Sequence, residues 1–219
     1  MASSVHPFCA ARHAWRYAAA MAAALPILGW QAVCAGADHV FCVEEDWELV
    51  VDEPEQGVCA PQVTCTMAPT ALIDQGYAAF DLNHRSQPGF VAGGMQLHVW
   101  SPAYPLASAA ASKTGMLRHS GETVCWTQRM VLFSHVLYFS IADGQSQTWG
   151  AFNSSHGLAA MVATSLENLD QYSPEVSAEH SGIGYAANRV QSLKLLRVRR
   201  YWSSGAVTVD ETVRVVHER

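Results

Sequence analysis

Charge is what this chain has least of: 15% of its 219 residues are Asp, Glu, Lys or Arg, while 50% are hydrophobic. That balance excludes a disordered chain and requires a well-buried fold. Basic residues are scarcer than acidic ones, thirteen against nineteen, and two of the thirteen, Arg12 and Arg16, precede Asp38. Residues 38–219 therefore carry eleven bases against nineteen acids, a net charge of −8. A general nucleic-acid binder is excluded, because a phosphate backbone demands a basic face. Past residue 37 no apolar run approaches the ~20 residues of a membrane helix. The chain also lacks C-x-x-C and H-x-x-x-H spacing, which argues against zinc, and it has no G-x-S-x-G elbow. No internal repeat is visible.

The first 37 residues hold the one long apolar run. Arg12 and Arg16 form a positive flank, Tyr17 to Val33 is apolar and Ala-rich, and Ala35-Gly36-Ala37 supplies a small-residue cleavage site before Asp38. The run is short for a bilayer span, and Pro26 would weaken a spanning helix. Residues 1–37 thus read as a signal peptide and 38–219 as a single domain with no membrane span of its own. The protein is expected to be exported, to the periplasm, the cell surface or the medium. An uncleaved anchor is the alternative. A lipoprotein fits less well, since Gln31-Ala32-Val33 lacks the small residue that lipid attachment at Cys34 prefers.

Beyond residue 37 four cysteines remain: Cys42, Cys59, Cys65 and Cys125. In an exported protein that number suggests up to two disulfides, with three pairings open. Cys59 and Cys65 meet only if Ala60-Pro61 turns the chain, and Cys65 with Cys125 across neighbouring strands is equally plausible. Four buried free thiols are the alternative.

Period-2 alternation recurs throughout. Trp47, Leu49 and Val51 share one face opposite Glu48 and Asp52, and Ala78, Phe80 and Leu82 share another. Met95, Leu97 and Val99 turn inward while Gln96, His98 and Trp100 turn outward. Val124 to Phe133 and Val136 to Ala142 read as strands joined by Ser134-His135, the second ending at an Asp143-Gly144 turn. Leu158–Thr164, Val190–Trp202 and Thr208–Val216 follow. Ala107 to Ala111 is too short for a helix and reads as a loop. Turn formers stand between the runs, among them Asp52-Glu53-Pro54, Gln87-Pro88-Gly89 and Ser203-Ser204-Gly205. Many strands without alternating helices predict an all-β antiparallel two-sheet β-sandwich.

Charge adds one long-range expectation. Residues 38–55 carry eight acids and no Lys or Arg, while 189–200 carry Arg189, Lys194, Arg197, Arg199 and Arg200 and no acid. Opposite charges favour strand pairing, so the strand around Trp47 is expected beside Leu193–Trp202. Leu195-Leu196 breaks the alternation there and predicts a bulge.

These patterns, DWELVV, GGMQLHVW, VLYFSIADG followed by QTWGAF, and SLKLLRVRRYW, resemble the concanavalin A-like jelly-roll superfamily, which includes laminin G-type domains and exported sugar-binding modules. The order is also similar to a group of uncharacterised secreted bacterial proteins. The resemblance covers most of residues 43–202. It implies a jelly roll with neighbouring terminal strands and a glycan as partner; an envelope protein is the other partner considered. No cofactor is expected. Calcium is the one ion the resemblance allows, through loop carboxylates such as Asp74, Asp81, Asp143 and Asp170. Without a D-x-D-x-D-G loop, no metal site is assigned.

Catalytic signatures are weak. Glycosidases on this scaffold need two carboxylates across a cleft. Glu44, Asp46 and Glu48 share a face, but the E-x-D-x-x-E spacing fails at Leu49, and an outer or edge face explains these acids more simply. Ser155 and His156 point opposite ways on an extended chain. Of the tryptophans, Trp47 and Trp126 are in phase with the core. Trp100 and Trp149 are the candidates for stacking on a sugar, with His98, Gln96 and Asn153 as hydrogen-bonding neighbours. The leading expectation is a non-catalytic, carbohydrate-binding sandwich. A structural or protein–protein interaction module of the cell envelope comes second, and a glycoside-active enzyme third. Exposure separates the first two: an aromatic-lined groove favours glycans, and a flat apolar patch or free strand edge favours a protein.

Overall fold

The computed structural model describes residues 37–53, 60–73, 76–83, 94–101, 105–110, 117 and 121–219. The segment read as a signal peptide lies outside them up to Gly36, as do Pro54, Cys59, Asp74 and the turn at residues 87–89. The described strands form two antiparallel sheets.

The larger sheet has eight strands. Its path runs β12 (Val207–Asp210), β11 (Val190–Trp202), β1 (Val40–Val51), β6 (Glu122–Phe133), β7 (Val136–Ser146) and β8 (Gly150–Phe152). Strand β13 (Arg214–Glu218) shares the outer edge of β11 with β12, and β9 (Ala159–Ala163) shares the edge of β7 with β8. The smaller sheet runs β10 (Gly182–Tyr185), β2 (Gln62–Met67), β3 (Tyr77–Leu82), β4 (Met95–Trp100) and β5 (Pro105–Ala110). The sheets approach each other where β5 meets β9 and where β10 meets β13. Among the described residues one short α-helix, α1 (Pro174–Glu179), lies against β2 and β13. The all-β two-sheet sandwich predicted from the alternation is what forms.

The core is built from the inward halves of these strands. Val43, Trp47, Leu49 and Val51 of β1 join Val63, Cys65 and Met67 of β2, Ala78, Phe80 and Leu82 of β3, and Met95, Leu97 and Val99 of β4. Trp47 and Trp126 are cross-strand partners, stacked at 6.2 Å and 6°. Phe80 meets Trp126 at 5.4 Å and Phe152 at 6.2 Å, so the aromatics tie the two sheets together.

Opposite charge does bring the two strands together. β1 pairs antiparallel with β11, placing Glu44 opposite Arg199, Asp46 opposite Arg197 and Glu48 opposite Lys194. The expected bulge is there too: the register jumps from Asp46↔Arg197 to Trp47↔Leu195 and leaves Leu196 over. The extra residue reverses the phase of the strand. Leu193, Leu195 and Val198 can then all face the core, while Arg197, Arg199 and Tyr201 turn to the outer face and meet Glu44 and Asp46.

Three local expectations need correction. Ala107 to Ala111 is not a loop: through Ala110 it is edge strand β5, paired with β4 from Gln96↔Ala110 to Val99↔Ala107. Partner pairing overrides the helix-favouring alanines. Asp143-Gly144 is not a turn but part of β7, with Gly144 opposite both Trp126 and Phe152. A Cβ at Gly144 would overlap the Phe152 ring, so this glycine serves close packing. Cys65 forms neither of the disulfides considered for it. It is free and buried on the core side of β2, whereas Cys125 lies on β6 of the other sheet, opposite Glu48 on the outer face. Cys42 is also free, and Cys125 is disulfide-bonded.

Candidate functional site

The outer face of the larger sheet carries a ladder of paired charge. Arg199 reaches Glu44 and Asp46, each at 2.9 Å. Arg197 binds Asp46 at 2.6 Å, and Arg129 joins Glu44 from β6. The Tyr201 hydroxyl donates to Glu44 at 2.8 Å and the Thr127 hydroxyl to Asp46 at 2.7 Å. Both carboxylates are buried on a central strand. Glu44 and Asp46 are each matched by bases and a hydroxyl, so the ladder fastens β11 to β1.

That fastening positions a C-terminal edge. After β11 the chain turns at Ser203–Ala206, with Gly205 at φ 88° and the Trp202 N–H donating to the Ala206 carbonyl at 2.9 Å. Asp38 clamps this turn by accepting from the Ser203 hydroxyl and from the Ser204 N–H and hydroxyl. Those Ser204 bonds hold the Asp38 carboxyl below its usual range. Strands β12 and β13 then run back along β11 as one broken strand. The break is built around Asp210, which accepts from the Thr212 N–H at 2.9 Å and pairs with Arg214 at 2.7 Å. The Thr212 bonds foremost, then Arg214, draw the Asp210 carboxyl down to about 2.

Antiparallel ladders alternate bonded and non-bonded pairs. Counting from the bonded pair Trp202/Ala206, Thr208 and Asp210 bond inward to β11. The N–H and C=O groups of Val207 and Val209 therefore face outward. β12 ends the sheet, and among the described residues no strand pairs with its far side. Val207, Val209, Val213 and Val215 are 48–52% exposed, and residues 205–209 carry no charge. Sequence reading placed a last strand at Thr208–Val216, which the structure divides into β12 and β13, and did not pick out these valines as a site. The signal was the absence of any charge to blunt an edge strand.

The residues picked out in the sequence are divided between the sheets. Trp100 ends β4, half-buried, opposite Tyr77 and 6.0 Å from the His98 ring. His98 and Gln96 turn away from the core as the alternation requires, yet both are 0% exposed. Trp149 belongs to the other sheet's β7–β8 turn, half-buried against the core and stacked on Phe152 at 5.6 Å. Its turn is tied by the Glu122 carboxylate, which accepts from the Ser146 and Thr148 hydroxyls and the Thr148 N–H. Asn153 caps the short turn after β8, accepting from the Ser155 N–H at 3.0 Å.

Of the carboxylates considered for calcium, Asp81 is buried within β3, accepting from the Thr64 hydroxyl at 2.5 Å. Burial pushes it up to about 6. Asp170 accepts the Val40 N–H at 2.7 Å, Asp143 sits inside β7, and Asp74 lies outside the described residues. Among the described residues no three His, Cys, Asp or Glu side chains gather in a metal-binding cluster.

No protein-family model, curated protein or solved structure matches this chain. Its functional reading therefore rests on its own geometry.

Proposed function

We propose that this chain is an exported interaction module of the cell envelope, which binds an extended segment of another protein along β12. The observation that carries the reading is the uncharged edge at Val207–Val209, exposed and with its outward backbone groups unused by any described strand. An added strand would satisfy those groups, and its alternate side chains would cover the valines. The partner segment is uncharged and rich in β-branched or aromatic residues, because a charge laid against residues 205–209 would be desolvated with no counter-charge. The two-sheet sandwich is compatible with a concanavalin A-like or laminin G-like jelly roll, and that superfamily assignment is part of the proposal. Export rests on the sequence of residues 1–37.

Sugar binding has less support. Trp47 and Trp126 are buried, while Trp100, Trp149 and Trp202 are half-buried, so no described indole is an open platform. The test is to pan the purified chain against a library of random ten-residue peptides, counter-selecting on the Val209→Pro variant. Recovered peptides should alternate Val, Ile, Thr or aromatic residues and lose binding to Val209→Pro. Peptides that bind both chains equally would refute the edge. A specific glycan-array hit abolished by Trp100→Ala or Trp149→Ala would restore the carbohydrate reading.

A further inference from the structure

One carboxyl in this protein faces the wrong way. Glu45 is in phase with Val43 and Trp47, so it points into the sandwich, and it is 0% exposed. Three groups donate to it: Trp47 Nε1 at 2.9 Å, the Tyr172 hydroxyl at 2.6 Å and the Ser177 hydroxyl at 2.5 Å. Two of the three belong to one segment, Tyr172–Ser181, which includes α1 and crosses from β1 to β2. Its far end is tied to β2, where the Thr66 N–H donates to Ser181 Oγ at 2.9 Å and the Thr66 hydroxyl to the His180 carbonyl at 2.9 Å. Its outer side is held by Glu175 with Arg214 of β13 at 2.7 Å, with Glu175 67% exposed. An exposed pair of that kind contributes little.

We propose that the Tyr172–Ser181 segment is a pH-operated latch, closed over Glu45 while that carboxyl keeps its proton and released when it ionises.

The geometry sets the direction. In the closed state the carboxyl is enclosed, and burial pushes it up to about 7 against the pull of Ser177, Tyr172 and Trp47. Lifting the segment admits water and returns it toward the ordinary glutamate value near 4.5. Protons therefore favour the closed form between those values. As pH rises from about 4.5 to 7, the opening equilibrium increases by up to roughly 300-fold, and it levels off above 7. The titratable and charged groups facing Glu45 are Tyr172 on the segment, Cys65 on β2 and Arg214 on β13, with neutral Gln128 opposite it on β6. Burial holds the Tyr172 and Cys65 protons on well above their usual range, so neither titrates in this window. Arg200, whose guanidinium lies 5.5 Å from the Tyr172 ring centre, stays charged throughout.

Cys65 is the natural reporter, being free, buried and bonded through its side chain to Ser181 at the end of the segment. In the full chain carrying Cys42→Ser, its alkylation by iodoacetamide is followed from pH 5.5 to 9 and normalised to a free cysteine peptide. Over that range the normalised rate should climb by roughly 30-fold. In the Glu45→Gln variant it should stay low and flat. An equal climb in Glu45→Gln, or none in the parent, overturns the latch. So does an equal climb at Cys42 in a Cys65→Ser chain, since Cys42 sits among the outer-face charges and reports unfolding of the whole domain. Should Glu45→Gln fail to fold, Ser177→Ala decides. Losing that donor moves the labelling midpoint to higher pH if Glu45 governs opening, and leaves it unmoved if it does not.

Discussion

A single buried carboxyl dominates the pH response at the residue scale. Glu45 in the folded chain is raised to about 7 from 4.5, and Asp81 is raised to about 6 from 3.8. Both are acids with folded values above their unfolded ones, so the fold holds protons that the unfolded chain releases. The stability these two groups contribute is therefore fully present below the unfolded values and is lost as pH rises through 6 and 7. The Glu45 part amounts to roughly 3 kcal/mol. Urea unfolding at pH 5 and pH 8 should show the parent weakening with pH and Glu45→Gln weakening much less. Gly144 gives a second prediction at this scale. Gly144→Ala forces a methyl group into the Phe152 ring and should destabilise by about 1–3 kcal/mol, read as a lower urea midpoint. Neither residue was legible beforehand. Glu45 looked like one acid among four in VEEDWEL, although its phase with Val43 and Trp47 was the available sign. Gly144 sits in a dipeptide whose commonest use is a turn, and only the ring of Phe152, eight positions on, explains it.

The elements were more readable. Alternation set the faces of β1, β3 and β4, and opposite charge found the pairing of β1 with β11 across some 150 residues, because both signals lie in the strands themselves. Burial of Gln96 and His98 on the outer face of β4 was not readable, since alternation tells which way a side chain points and not what covers it. The β1–β11 pairing can be weighed by substitution. Arg199→Ala removes a base that serves two buried carboxylates and should lower stability by about 3 kcal/mol. Lys194→Ala breaks the pair with exposed Glu218 and should lower it by under about 1 kcal/mol. A chemical-denaturation comparison of the two separates a ladder that holds the sheet from surface decoration. The β6–β7 hairpin makes a second test. Ser134 and His135 adopt φ values of 48° and 60°, a left-handed turn without glycine. His135→Gly relieves that strain and should raise stability by about 1 kcal/mol in a thermal melt.

For the whole molecule, the described strands bring the two sheets together along β5–β9 and β10–β13 and leave the Val207–Val209 stretch of β12 as an exposed edge without charge. The sequence pointed instead to Trp100 and Trp149, because an aromatic out of phase with a core is the visible mark of a sugar site. Which edge a sheet leaves open is a property of the complete topology, and no local pattern encodes it. Val209→Pro should leave the urea midpoint nearly unchanged, since the Val209 N–H faces away from β11, yet remove partner binding. The most direct measurement is amide hydrogen exchange, residue by residue, in the chain alone and with a peptide selected on it. Val207 and Val209 should exchange freely in the chain alone and gain protection in the complex, while the amides around Trp100 and Trp149 stay unchanged. Protection gained around those two tryptophans, with none at Val207 and Val209, would contradict the strand-edge function.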